Sequence, residues 1–125
     1  MALKIEKKNL IVITGSGLIN RDEFIKAYDE AINLTEFSPG DPLLFDLQSA
    51  SLVDLTYEDC NDIAMHEVKR RKERGSGKCA LLVKESSDFG VSRIIQALRD
   101  FQFEEAQVNV FKEKNIAIAW LQGCQ

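Results

Sequence analysis

Side chains able to do chemistry fall in two short stretches. One runs from Asp46 through Ser49, Ser51 and Asp54 to Thr56, and the other is Ser87-Asp88-Phe89-Gly90-Val91-Ser92-Arg93. Hydroxyls and carboxylates there can exchange hydrogen bonds with a partner, Arg93 can hold an anionic group, and Phe89 offers an apolar face. The same residue types also cap helices and shape turns, so Ser49, Ser51, Thr56, Ser87 and Asp88 each have a plain structural role beside a functional one. Bond-breaking chemistry asks for more. His66 is the single histidine and has no cysteine at hydrolase spacing, which places it on a helix surface instead. Asp46, Asp54, Glu58 and Asp59 cluster in sequence without a companion base. The expectation is a non-enzymatic domain without metal or cofactor.

Three apparent motifs dissolve on inspection. Gly15-Ser16-Gly17-Leu18-Ile19-Asn20 has Asn20 where a dinucleotide fingerprint needs its third glycine, so it reads as a helix entry. Gly75-Ser76-Gly77-Lys78 lacks the first glycine of a phosphate loop, has Cys79 for its hydroxyl residue, and precedes a strand instead of following one. It reads as a linker. The basic run Lys69 to Arg74 reads as a solvated helix end matched to the helix dipole, and it has no interleaved aromatics for stacking on single strands.

Hydrophobic periodicity supplies the elements that must position these residues. Leu3 to Lys7 alternates as a strand, and Leu10 to Thr14 forms a second one, broken by Gly15-Ser16-Gly17. Phe24, Ala27, Tyr28, Ala31 and Ile32 mark a helix capped by Asn20. Leu43 to Leu47 is a buried strand, with Gln48 to Ser51 as the loop after it. A helix starting at Thr56, with Asp59 completing a variant capping box, stacks Tyr57, Cys60, Ala64 and Val68 and reaches about Glu73. A strand over Lys78 to Lys84 follows, and then a helix from Ser87 or Asp88 with the stripe Val91, Ile94, Ile95 and Leu98. A strand within Glu105 to Phe111 and a helix over Lys114 to Leu121 close the chain. The order β-β-α-β-α-β-α-β-α predicts one α/β domain over residues 1–125, with a mixed, mostly parallel sheet and helices packed on it. In such a sheet the loops leaving the carboxyl ends of the strands gather on one edge, which becomes the expected functional surface.

Composition narrows the classes of partner. The chain has 125 residues and a net charge of -4 from 16 basic and 20 acidic residues, so no global field draws it to nucleic acid or anionic lipid. The opening apolar run, Leu10 to Ile13, is too short for a signal peptide or a membrane span. Cys60, Cys79 and Cys124 are odd in number and share no CxxC spacing, which fits free thiols in a reducing cytoplasm. A homodimer stays open.

Three stretches carry a family likeness. Leu43-Leu44-Phe45-Asp46-Leu47 with Ser51-Leu52-Val53-Asp54, then Ser87 to Arg93, then Val108-Asn109-Val110-Phe111 with Ala117 to Leu121 resemble the STAS domain, and more closely the SpoIIAA-like family of small bacterial proteins. The resemblance spans the whole length. It implies a regulatory or protein-interaction domain working through the loops at the carboxyl edge of its sheet, or alternatively one that binds a small anionic or apolar ligand. In anti-sigma-factor antagonists of this fold, the serine directly after the aspartate matching Asp54 is phosphorylated. Here that position is Leu55, and Thr56, one residue on, is the nearest hydroxyl.

Overall fold

Leu3 and Ile5 point inward from strand β1 (Leu3–Lys7), which pairs antiparallel with β2 (Ile11–Leu18) in the computed structural model; residues 3–7, 10–75, 77–100 and 108–123 are described. Helix α1 (Arg21–Ile32) leads to β3 (Leu43–Ser51), and α2 (Tyr57–Lys69) with the short α3 (Arg71–Arg74) leads to β4 (Cys79–Leu82). Helix α4 (Ser86–Asp100), β5 (Val108–Phe111) and α5 (Lys114–Leu121) complete the order. Residues 105–107, expected to open the last strand, lie outside the described residues, as does Cys124.

The strands lie side by side in the order β1-β2-β3-β4-β5, and every pairing after the first is parallel. This is the mixed, mostly parallel α/β sheet expected. Three crossovers that advance in one direction and share one hand put α1, α2 and α4 on the same face. There they bury Phe24, Ala27, Tyr28, Cys60, Ile63 and Ile95 against Ile11, Ile13, Phe45, Leu81 and Val110. The Phe24 and Phe45 rings stack at 4.8 Å. Helix α5 covers the opposite face, with Ala117 and Leu121 on Leu44, Ala80 and Leu82. Strands β3 and β4 are therefore covered on both sides, which explains their nearly continuous apolar runs.

Four expectations need correction. First, Gly15 to Gly17 does not break β2, and Gln48 to Ser51 is not a loop. Both strands continue, with Ser16, Gly17 and Leu18 in register with Ser49, Ala50 and Ser51. A bulge absorbs the irregular pattern, because Leu47 and Gln48 together face Gly15 alone. A Cβ on Gly15 would stand 2.9 Å from a Leu47 methyl, so the small residue is what lets Leu47 reach the core.

Second, Tyr57 does not join the buried stripe of α2. It is 66% exposed, since the first turn projects beyond the sheet and burial starts at Cys60. Third, His66 is half-buried and engaged instead of freely exposed. Its Nε2 lies 2.6 Å from Oδ1 of Asp29 on α1, and the ring meets Tyr28 edge-on at 6.1 Å.

Fourth, the basic run is not simply solvated. Arg70 Nη1 donates to the same Asp29 oxygen at 2.6 Å. Arg74 is 3% exposed and donates to the carbonyls of Asp41 and Lys78, both at 2.6 Å. Gly75, at φ 75°, ends α3, and a Cβ on Gly77 would collide with Arg74 Nη1 and the Gly40 carbonyl. The stretch read as a linker is a packed joint between α3 and the turn at Pro39 to Asp41.

Candidate functional site

The carboxyl edge of the sheet gathers the two stretches that carry the chemistry. Asp88 is the reason they touch. It is 2% exposed, and its Oδ1 accepts the backbone N–H of Leu52 at 2.9 Å, tying the start of α4 to the loop after β3. Burying a carboxylate is tolerable where hydrogen bonds replace its water, and a buried N–H needs a partner just as much.

The residues around this tie divide into those that hold the loops and those that face solvent. Asn20 caps α1 by accepting from Glu23 N at 2.8 Å, and the Glu23 carboxylate returns to Asn20 N at 3.0 Å. Thr56 does the same for α2 with Asp59, in both directions at 3.0 Å. Ser51 contributes its carbonyl to Ile19 N at 3.0 Å and its hydroxyl to Val53 N at 3.4 Å. Asp46 is half-buried; its Oδ1 accepts Gln48 N at 3.2 Å, and Lys114 Nζ stands 3.8 Å from its Oδ2. Ser49, Asp54 and Ser87 are exposed.

Between β4 and β5 the rim changes character. The loop after β4 enters α4 on one face of the sheet, and the loop after β5 enters α5 on the other. Lys112 Nζ lies 3.2 Å from Ser86 Oγ and 5.4 Å from the centre of the Phe89 ring. The Arg93 guanidinium is 6.0 Å from the same ring. Two cations thus stand near one aromatic ring.

Apolar side chains also reach the rim without cover. Val53 is 56% exposed, and Leu18 and Tyr57 are likewise open. Register places Leu18 opposite Ser51, two residues before Val53, and Tyr57 begins the helix that this loop enters. Sequence reasoning missed Leu18, Val53, Tyr57 and Lys112. An apolar Val53 in a polar loop was a readable signal; the position of Lys112 was not, because it depends on how β5 lies beside β4.

Titratable groups elsewhere are shifted chiefly by burial. Burial pushes the Cys79 thiol up to about 12 and raises Cys60 as well. Both are free thiols. Burial also raises Tyr28, Glu67 and Asp100. Among the described residues no cluster of three or more His, Cys, Asp or Glu side chains could hold a metal ion. No helix among them is long and apolar enough to cross a membrane.

No family model matches the chain, and no curated protein matches it at a significant level. Among solved structures it is similar to an uncharacterised protein of the DUF3478 family with a SpoIIAA-like fold from Shewanella loihica PV-4. The likeness has a TM-score of 0.54 at 16% identity and covers 96% of this chain and 92% of that one. The fold is SpoIIAA-like. At this identity the SpoIIAA-like likeness speaks for architecture, and function has to be argued from the rim itself.

Proposed function

We propose that this SpoIIAA-like domain is a non-enzymatic regulatory module that binds another protein through the carboxyl rim of its sheet. The observation that carries the reading is that Leu18, Val53 and Tyr57 are all exposed at this rim, with the exposed Asp54 next to Val53 in the chain. Exposed aliphatic and aromatic groups grouped on a rigid edge and bordered by polar side chains are the make-up of a protein contact. The Asp88–Leu52 tie supports it by holding the loop in one shape, which lowers the ordering cost of association. Thr56 is an exposed hydroxyl at a helix N-terminus, where a phosphate would be accommodated and would set a negative charge at the same rim.

Affinity capture with the full chain as bait tests this. Proteins retained by the wild type should be lost on Val53→Glu and on Tyr57→Ser. Equal recovery by all three baits would overturn the assignment.

A second reading rests on the side chains gathered around Phe89 after β4 and β5. Lys112 and Arg93 around Phe89, with Ser86 at hand, suit a small anionic ligand with an apolar part. Native mass spectrometry would then reveal a retained mass that Lys112→Glu releases. A bare protein mass in both forms would remove this reading.

A further inference from the structure

The five-stranded sheet has two outer edges, and they are finished differently. At β5, the Phe111 carbonyl accepts the Val83 N–H at 2.9 Å and so faces β4. Alternation along the strand turns the backbone groups of Val108 and Val110 outward. Two of those groups already have side-chain partners. Gln96 Nε2 of α4 donates to the Val108 carbonyl at 2.9 Å, and the Val110 N–H donates to Asn109 Oδ1, also at 2.9 Å. Gln96 Nε2 stands 3.4 Å from that same Asn109 oxygen, which joins the two contacts into one plug. A strand docking on β5 would have to break this plug, so the edge is blocked.

Strand β1 forms the other edge and pairs with β2 alone. Half of the backbone groups of such a strand face away from its neighbour, where a further strand can take them up. Helix α1 packs on both β1 and β2. Between α1 and β1 runs a groove lined by Leu3, Glu23, Lys26, Ala27 and Glu30, without a residue of β2, which puts it at the outer margin of the sheet. Lys26 is exposed and Glu30 is half-buried. Their charged ends lie 4.0 Å apart, one turn along the same flank.

We infer that β1 is a self-association edge: two copies of this chain pair their β1 strands antiparallel about a twofold axis, and α1 of each copy closes the groove of the other. The occupant is a second copy because the flank is its own complement. A twofold contact sets the same surface against itself, and the two α1 helices then run antiparallel. A crossing level with Tyr28 places Lys26 of each copy opposite Glu30 of the other, which gives two pairs of opposite charge from one stretch. Spacing agrees as well. Strands stand about 4.8 Å apart, so a helix seated over the β1–β2 pair lies about two such spacings, ~10 Å, from its copy. Helices pack at about 8–10 Å.

Sedimentation velocity of the full chain, run over a range of concentrations, reads the assembly. The wild type is expected to approach twice its 14.1 kDa as concentration rises. Lys26→Glu makes both cross-helix pairs repulsive and should raise the dimer dissociation constant about tenfold. Lys26→Glu combined with Glu30→Lys reverses both charges together and should restore the wild-type value. Hydrogen exchange locates the contact: protection of the β1 amides should rise with concentration, and that of the β5 amides should not. A one-chain mass for the wild type at about 1 mM would overturn the pairing. So would a Lys26→Glu dimer as tight as the wild type, or β1 amides indifferent to concentration. Should a variant fail to fold, the wild-type mass and exchange decide the matter alone.

Discussion

The Leu52 backbone N–H and the Asp88 carboxylate meet at 2.9 Å across 36 positions of chain. Leu52 and Asp88 are both buried, so each group relies on protein partners in place of its lost water. The bond therefore sets the spacing between the loop after β3 and the first turn of α4. Removing the acceptor leaves a buried donor unsatisfied, which costs about 1–3 kcal/mol. Asp88→Ala is expected to lower unfolding stability in urea by that amount. Asp88→Asn, which keeps an acceptor oxygen, should lose less. An Asp88→Ala variant as stable as the wild type would show that the tie does not hold the rim.

Arg74 makes a sharper case at the other end of the molecule. Its guanidinium holds two carbonyls from different turns, and a lysine has no fork with which to reach both. Arg74→Lys is expected to destabilise by about 1.5–3 kcal/mol, the range for hydrogen bonds to a charged group. Gly77→Ala should also destabilise, because its new methyl would displace the guanidinium and press on the Gly40 carbonyl. Denaturant midpoints of the two variants measure both effects.

Caps and rim side chains should separate stability from binding. Thr56→Ala removes half of a reciprocal cap and is expected to cost roughly 1 kcal/mol. Val53→Glu and Tyr57→Ser touch exposed groups and should stay within about 0.5 kcal/mol of the wild type. Loss of a captured partner in those two variants would then reflect the surface and not the fold.

The buried thiols give a prediction in alkali. Cys79 is held up to about 12 by burial, while an unfolded cysteine ionises near ~8.5. Because the folded value is the higher one, its contribution is intact below the unfolded value and fades as pH climbs toward the folded value. Cys79→Ala should therefore flatten the loss of stability above about pH 8.5. Below that point, iodoacetamide should label Cys60 and Cys79 only after denaturant is added, as peptide mapping can show.

Element order, the Asn20 cap, the Thr56–Asp59 capping box and the carboxyl-edge gathering of the two polar stretches were legible in the residues. Period and cap chemistry act over three or four positions, so the Asn20 cap and the Thr56–Asp59 pair declare themselves locally, while the return bond from Glu23 to Asn20 was added by the structure. The seam between β2 and β3 was misread because a bulge changes the register without changing composition, and Gly15 looks like a breaker until Leu47 is seen occupying the space it leaves. His66, Arg74 and Asp88 carry polar side chains, and local pattern assigns such groups to solvent.

What the sequence determined alone is a layered α/β chain with its hydroxyls and carboxylates at strand ends, since alternation and capping are properties of neighbours. Tertiary structure alone decided which of those polar groups turn inward to hold the loops and which apolar ones, Val53 and Tyr57 among them, are left facing water. The physical reason is distance along the chain: a buried polar atom needs a partner, and for Asp88 and Arg74 that partner lies more than thirty residues away.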